Sequence, residues 1–334
     1  MKRRLITINE YSSIPKYRQI INSIVSAIEQ GALLKGDKIP SINQICAEFN
    51  LSRDTVMVAF NELKAKGIVL SRPGKGYYIS STVVNQEERI FVVFDELNAF
   101  KEDLYNAFLK GLNSRAVADI FFHHFNYKVF KNLLIDSIGN YTSYVIMPAT
   151  FDNTSHLVEK LPKDKVYILD RLKADLKEYP VVYQDFENDL YNALNDGLHM
   201  VGKYKKLVLV NPGGKEPIER ETGFTRFCQE NRFRFEIVKN LHDRSISENE
   251  LYVVISDRDL VNVVKQVQLK KFKLGSDFGI ISLNDTMLKE VVAGGITTIS
   301  TDFKKMGATL AKMILTKEKL QIKNPASLIV RHSI

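Results

Sequence analysis

Between Ser41 and Leu63 two amphipathic helical patterns follow one another almost without a break, and this restricts the fold more tightly than any other segment. Ile42, Ile45, Cys46 and Phe49 recur at offsets of three and four, as do Val56, Ala59, Phe60 and Leu63. Ser52 comes only three residues after Phe49, so the turn between the helices is short. Ser41 with Gln44 three residues on predicts a capping box, and Ser52 predicts a second N-cap. A preceding helix is written in Tyr17, Ile20, Ile21, Ile24, Val25 and Ile28, with Pro15 at its start and Gly31 as its stop.

This pattern leaves Arg53, Asp54, Thr55 and Met57 around the exposed start of the third helix. In helix-turn-helix proteins the residues at that position reach base edges. Arg53 can donate two parallel hydrogen bonds to a guanine, and Thr55 can meet a base or a phosphate. Asp54 is read as ordering Arg53 or capping the helix, with acceptance from cytosine as the alternative. Downstream, Ile68-Val69-Leu70 and Tyr77-Tyr78-Ile79 flank Ser71-Arg72-Pro73-Gly74-Lys75-Gly76, which predicts a hairpin with a basic tip. The bland account of the segment is a helical subdomain with a charged loop, and it leaves the coincidence of cap, turn length, basic helix start and wing unexplained.

The segment from Pro15 to Ser80 resembles the winged helix-turn-helix of GntR-family transcription regulators. Ile39-Pro40-Ser41 stands where that family has Leu-Pro-Ser, Ser52-Arg53-Asp54-Thr55-Val56 keeps its Ser-Arg-x-Thr-Val, and Gly74-Lys75-Gly76-Tyr77 keeps its wing. Two family arginines are replaced, by Asn43 and Met57. The DNA-contacting set expected from the residues and the resemblance together is Lys38, Ser41, Asn43, Ser52, Arg53, Asp54, Thr55 and Met57, with Arg72, Lys75, Gly76 and Tyr77 from the wing.

Charge agrees with a polyanionic partner there. Residues 1–80 carry 12 Lys/Arg, among them Lys2, Arg3 and Arg4, against six Asp/Glu, a net of +6, while the whole chain is +8. The 334 residues suffice for two domains, each with its own core. Cys46 and Cys228 are the only cysteines and show no metal-ligand spacing, which fits a reduced cytoplasmic setting, nucleoid-associated when DNA is bound. No signal peptide or apolar run near 20 residues is present, so neither secretion nor a membrane partner is expected.

Residues 81–88 read as a linker, and from 89 to 334 apolar strands alternate with helical patterns. The predicted strands are Ile90–Phe94, Asp119–His124, Tyr144–Met147, Val166–Leu169, Val181–Tyr183, Lys206–Val210, Arg234–Val238, Tyr252–Ile255 and Phe278–Ser282. The predicted helices include Asp103–Ala116, Asp189–His199 and Leu260–Leu269. Several strands are continuous Val/Ile runs, as in parallel sheets buried on both faces. Their number suggests two lobes.

The order of fragments resembles the sugar-binding domain of LacI/GalR-type repressors, which is related to periplasmic sugar-binding proteins. The fragments are Phe108-Leu109-Lys110-Gly111, Leu169-Asp170-Arg171, Asp185, Arg220-x-x-Gly223-Phe224, Ser256-Asp257, Ile280-Ile281-Ser282-Leu283-Asn284-Asp285, Thr297-Thr298-Ile299, Met306-Gly307 and Leu328–Ser333. The resemblance implies a ligand between the lobes near the strands' C-terminal ends. It assigns Arg220 to sugar hydroxyls, with Asp170, Asp185, Ser256, Asp257, Asn284 and Asp285 as further effector residues. Ser256 and Asn284 depart from a frequent family Asn and Asp. From their position after the first strand, Asp95 and Glu96 can accept from hydroxyls, and Phe94, Phe100 or Phe151 can stack on a sugar ring.

Other chemistry finds no motif. Asn211-Pro212-Gly213-Gly214-Lys215 lacks phosphate-loop spacing and reads as a strand-to-helix turn. His123 and His124, if on a strand, point to opposite faces and cannot share a metal. Catalytic residues, metal and cofactor are therefore expected to be absent. The fold expected is α/β, an N-terminal winged helix-turn-helix followed by a two-lobed parallel α/β periplasmic-binding-protein-like domain. The function expected is a sugar-responsive regulator, most simply a homodimeric repressor of carbohydrate-utilisation genes on a palindromic operator. A carbohydrate-active enzyme with an autoregulatory DNA-binding domain and an architectural DNA-binding protein are the alternatives.

Overall fold

The computed structural model describes residues 5–84, 88–113, 116–241 and 244–334. Lys2, Arg3 and Arg4, and positions 85–87 of the expected linker, lie outside the described residues. Backbone packing divides the chain into two compact units. One comprises Met1–Phe94, Leu112–Ile146 and Asn153–Tyr167, and the other Asp95–Gly111, Met147–Asp152 and Ile168–Ile334.

The first unit begins with α1 (Lys16–Glu29), β1 (Lys38–Ile39), α2 (Ile42–Phe49), α3 (Arg53–Ala65), β2 (Val69–Arg72) and β3 (Gly76–Ile79). The local signals behave as the residues dictate. Pro15 occupies the N-cap position of α1, and Gly31, at φ +69°, lies just past its end. Ser41 and Gln44 form both arms of the capping box on α2, and Ser52 caps α3 by accepting from the Thr55 amide. Asn50 closes α2 in the left-handed conformation, which a short polar side chain tolerates. Ile20, Ile24, Ile45, Val56, Phe60 and Leu63 are fully buried where the three helices meet. Each contributes about 1.5–3 kcal/mol by leaving water. The wing is a three-stranded antiparallel sheet in the order β1-β3-β2. Its third strand, β1, holds Lys38 opposite Tyr78 and has no signal in the sequence beyond two residues.

Thereafter strands and helices alternate: β4 (Glu88–Phe94), α4 (Ala99–Leu112), β5 (Ala116–Phe122), α5 (Tyr127–Ser137), β6 (Ser143–Ile146), α6 (Ser155–Val158), β7 (Val166–Asp170) and β8 (Val181–Tyr183). Then follow α7 (Phe186–Asp196), α8 (Leu198–Val201), β9 (Lys206–Val210), α9 (Glu219–Glu230), β10 (Arg234–Val238), β11 (Glu250–Val254) and α10 (Asp257–Lys270). The chain closes with β12 (Gly279–Leu283), α11 (Met287–Val291), β13 (Thr297–Thr301), α12 (Phe303–Thr316), β14 (Gln321–Lys323) and β15 (Ala326–Ile329).

In the first unit β4 pairs in parallel with β5 on one side and β6 on the other. In the second, β8 pairs in parallel with β7 and β14. The second unit also holds a six-stranded sheet, order β10-β9-β11-β12-β13-β15, parallel except for β15. Strands β9, β11 and β12 are buried on both faces, which is why they are dominated by Val, Ile and Leu rather than alternating with polar residues. The architecture is that expected, a winged helix-turn-helix ahead of two parallel-sheet α/β lobes.

Several details differ from expectation. Predicted helix Asp189–His199 divides at Gly197 into α7 and α8. Predicted strand Asp119–His124 ends at Phe122, and His124 turns away with φ +48°, so the two histidines do not sit on one strand. His123 instead packs its ring against Phe125 and Phe130 in the interior. Helix α4 starts four residues earlier than its apolar pattern implied. Among the described residues no helix is long and apolar enough to cross a membrane.

Candidate DNA interface and ligand pocket

The exposed start of α3 is built by its cap. Ser52 and Thr55 share a 2.8 Å hydroxyl hydrogen bond, which fixes Thr55 at the first turn. Arg53 Nη1 donates to Asn43 Oδ1 at 2.8 Å, so the guanidinium is oriented across the turn by α2. The sequence left Asp54 to order Arg53 or to cap the helix. The structure gives Arg53 to Asn43 and leaves Asp54 exposed in the first turn of α3. A residue that replaced a family arginine thus supports the remaining one. Met57 turns its side chain partly into the helical core rather than outward.

On the wing the two tyrosines separate. Tyr77 packs edge-on against Phe60, at 4.6 Å between centroids, and so faces the core. Tyr78 faces the other way, with the Arg72 guanidinium 4.8 Å and the Lys38 ammonium 5.9 Å from its ring centroid. Tyr78 also donates to the Lys75 carbonyl. Lys38, Arg72 and Tyr78 therefore form one basic, aromatic surface ending at exposed Lys75. The alternation along β3 carries this information, because neighbouring strand residues point to opposite faces. Gly76, at φ +103°, lies so close to Lys38 that a Cβ there would be 3.2 Å from the lysine Cε.

The residues expected to meet an effector fall into two groups. Arg220 and Asn284 line one narrow pocket in the second unit, together with Gln184, Phe186, Asp189 and Thr301. Arg220 is buried in the first turn of α9 and pairs with Glu216 at 2.7 Å. Its guanidinium lies 5.0 Å from the Phe186 ring centroid, and the Arg171 guanidinium lies 5.2 Å from the same ring. Burial holds Arg220 below its ordinary pKa, opposed by the charges of Glu216 and Asp170. Asp170 ends β7 in a left-handed conformation, φ +80°, and accepts from Gln184 Nε2 at 2.6 Å. Gln184 in turn accepts from the Thr301 hydroxyl at 2.7 Å. Burial pushes the Asp170 carboxyl upward, and the Lys101 ammonium is the main charge opposing that rise. Lys101, itself buried, donates to Asp95. Glu96 accepts from Lys215 through both carboxylate oxygens, at 2.7 and 2.8 Å.

The second group has structural partners that account for each residue. Asp185 caps α7 and binds Lys323 at 3.1 Å. Ser256 caps α10, and exposed Asp257 pairs with Lys289 at 3.0 Å. Asp285 holds Arg331 through both oxygens, at 2.6 and 2.8 Å, and accepts from Thr298. Phe94 is fully buried against Phe122, which removes it from stacking on any ligand. Phe100 lies on Phe303 at 4.7 Å, and Phe151 offers its carbonyl to Lys173. Gln184, Thr301, Phe186, Glu216 and Lys101 belong to the pocket or its charge network and carried no motif, whereas Arg171 stood in the Leu169-Asp170-Arg171 fragment without being assigned a role. The one available signal was the i, i+4 spacing of Glu216 and Arg220.

Gly223 explains why the pocket can form. A Cβ at this position would lie 2.2 Å from the Glu187 carbonyl oxygen, so glycine lets α9 approach α7 closely. Arg226 crosses the same contact to Glu187 and Asn188, at 2.9 and 3.0 Å. Lys289 donates to the carbonyls of Leu283 and Asn284, at 2.7 and 2.8 Å, and so fixes the turn that presents Asn284.

Fold and site together define a winged-helix DNA-binding protein with a binding-protein-like domain behind it. The profile of bacterial regulatory proteins, gntR family, matches residues 16–79, and that of the periplasmic binding protein-like domain matches residues 202–334. The repressor YtrA of Bacillus subtilis is 31% identical over 100 residues, which is 30% of this chain and 73% of YtrA. The mannosyl-D-glycerate transport/metabolism system repressor of Escherichia coli is 37% identical over 82 residues, 25% of this chain and 34% of that protein. A probable fructoselysine utilization operon repressor of Escherichia coli is 32% identical over 76 residues, 23% of this chain and 31% of that protein. The chain thus spans about a third of these last two relatives. Among solved structures, a dimeric Lac repressor superimposes with TM-score 0.62 at 14% identity, covering 73% of this chain and 98% of that one. The trehalose repressor of Escherichia coli gives 0.63 at 14% identity, covering 73% and 100%. The chain belongs to the GntR family of bacterial regulatory proteins and is a transcription regulator.

Proposed function

We propose that the chain represses carbohydrate-utilisation genes and is switched by a sugar or sugar derivative bound at Arg220. The observation that carries this reading is the set of side chains around Arg220, whose cavity of about 20 Å³ has to open to admit a sugar. One buried arginine, two amides (Gln184 and Asn284) and a hydroxyl (Thr301) converge with the Phe186 ring. Paired donors and acceptors beside an aromatic face are the chemistry a polyol requires. The repressors of sugar-related operons among the relatives support the same reading.

The operator is proposed to be palindromic, with half-site centres about 10 base pairs apart for a two-fold dimer. The exposed side chains of Met287, Leu288 and Val291 on α11 suit the dimer contact. Lys289 ties α11 to the start of α10, where Val261 is also exposed. Leu288→Asp is expected to convert a sedimenting dimer to monomer; an unchanged sedimentation coefficient at micromolar protein places the contact elsewhere. The effector must bind the two states with different affinity, or it shifts nothing. A thermal-shift screen of mono- and disaccharides and their charged derivatives tests the ligand class. Stabilisation by one compound, lost in Arg220→Met, is expected; the absence of any hit would sink the reading.

A further inference from the structure

Arg220 is already bound to an anion supplied by the chain. Glu216 Oε2 lies 2.7 Å from Arg220 Nη1, and both side chains are largely buried. Glu216 sits in the loop 211–218, between β9 and α9. Gly213 and Gly214 in that loop both have positive φ, +70° and +67°, and Ile218 at its end is exposed. Lys215, next to Glu216, ties the loop to Glu96 through both carboxylate oxygens. Asn211 fixes the loop's other end by donating to Glu221 and accepting from Gly213.

The neighbouring arginine repeats the arrangement. Arg171 holds Glu219 through both of its oxygens, at 2.8 and 2.9 Å, on the other cation contact of Phe186. Two arginines thus meet one aromatic ring, each neutralised by a glutamate from the same short stretch of chain. Glu219 is half-exposed, whereas Glu216 is not.

We propose that Glu216 is an internal competitor for the ligand's place on Arg220, and that the effector is a carbohydrate carrying a carboxylate or phosphate. This inference rests on reading the Arg220 pocket as the ligand site. A ligand oxygen that takes the place of Glu216 at Arg220 Nη1 displaces that carboxylate. A neutral hydroxyl put in its place leaves a buried arginine short of one counter-charge, which is unfavourable in a low-dielectric site. An anionic group restores the pair like for like, and an arginine fork suits planar or tetrahedral oxyanions. The glycine pair lets the loop carry Glu216 outward, and the Lys215–Glu96 tie sets how readily it does so. Glu216 and Glu96 are thus residues that tune affinity and charge preference.

The test uses the full chain and two simple anion probes, inorganic phosphate and acetate, at constant ionic strength with chloride as reference. Glu216→Gln is expected to raise its thermal midpoint with one probe at concentrations at least tenfold below those needed by the native chain. The probe that acts identifies the anion as phosphate or carboxylate. Glu216→Gln combined with Arg220→Met is expected to lose the response. Glu96→Gln, which leaves the arginine pair untouched, is expected to show a smaller gain of the same sign and serves if Glu216→Gln folds poorly. Equal responses of native chain and variants, or a response that survives loss of Arg220, overturns the role of Glu216. A carbohydrate screen without any hit instead overturns the pocket as a ligand site, so the two failures are distinguishable.

Discussion

Gly223→Val is expected to cost the second unit about 3 kcal/mol or more, the usual upper range for forcing bulk into a closed contact. Even the Cβ of alanine would stand 2.2 Å from the Glu187 carbonyl oxygen and 3.0 Å from its carbon, and both are helix backbone that cannot rotate away. The only relief is to separate α7 from α9. That would loosen the Arg226 contacts to Glu187 and Asn188 and move Phe186 away from Arg220. The variant should therefore unfold earlier in urea, monitored by far-UV circular dichroism, and lose ligand-induced stabilisation together with stability. Gly223→Ala should show the same effects in smaller measure. A native midpoint for the valine variant would mean that α9 does not lie where it is described.

Arg53→Ala is expected to weaken specific operator binding by about 1–3 kcal/mol and to relax the preference at one base pair. The reason is geometric. Ser52 caps α3 so that Arg53 is its first residue, and Asn43 holds the guanidinium from α2 at 2.8 Å. A fixed fork discriminates bases better than a mobile one, so Asn43→Ala should reproduce part of the loss without removing the charge. Lys75→Ala should act differently. It removes an exposed charge at the wing, so binding should weaken equally across sequences and the salt dependence should fall by about one ion. The comparison is read by selecting duplexes from a random library and measuring affinities at several salt concentrations. An Arg53→Ala variant with an unchanged sequence preference would move recognition away from α3.

What could be read from the chain alone was whatever local chemistry dictates. The capping box at Ser41, the cap at Ser52 and the wing turn follow from residues three or four apart, and they stand where the sequence put them. Strands β8, β9 and β10 keep their predicted bounds, β8 and β9 as short apolar runs and β10 as an alternation of apolar and charged residues. Strands β1, β14 and β15 escaped because two to four half-exposed residues carry no pattern until a partner strand supplies one. The pocket was half legible. Arg220 and Asn284 stood in recognisable fragments, but Gln184 and Thr301 meet across 117 residues of sequence. Asp285 looked equally suitable until Arg331, 46 residues away, took both of its oxygens. Which carboxylate is left for a ligand is a question of three-dimensional pairing, and periodicity does not encode it.

Occupancy of the Arg220 pocket is proposed to control DNA binding by the winged domain. Fluorescence anisotropy on an operator selected by the protein itself tests this most directly. Affinity is measured for the native chain and for Arg220→Met, with and without each compound that stabilises the native chain. At least one compound is predicted to change operator affinity of the native chain by fivefold or more, the ordinary lower bound of allosteric coupling, and to leave Arg220→Met unaffected. A compound that binds the native chain but leaves operator affinity unchanged, or one that shifts both proteins equally, would contradict the account.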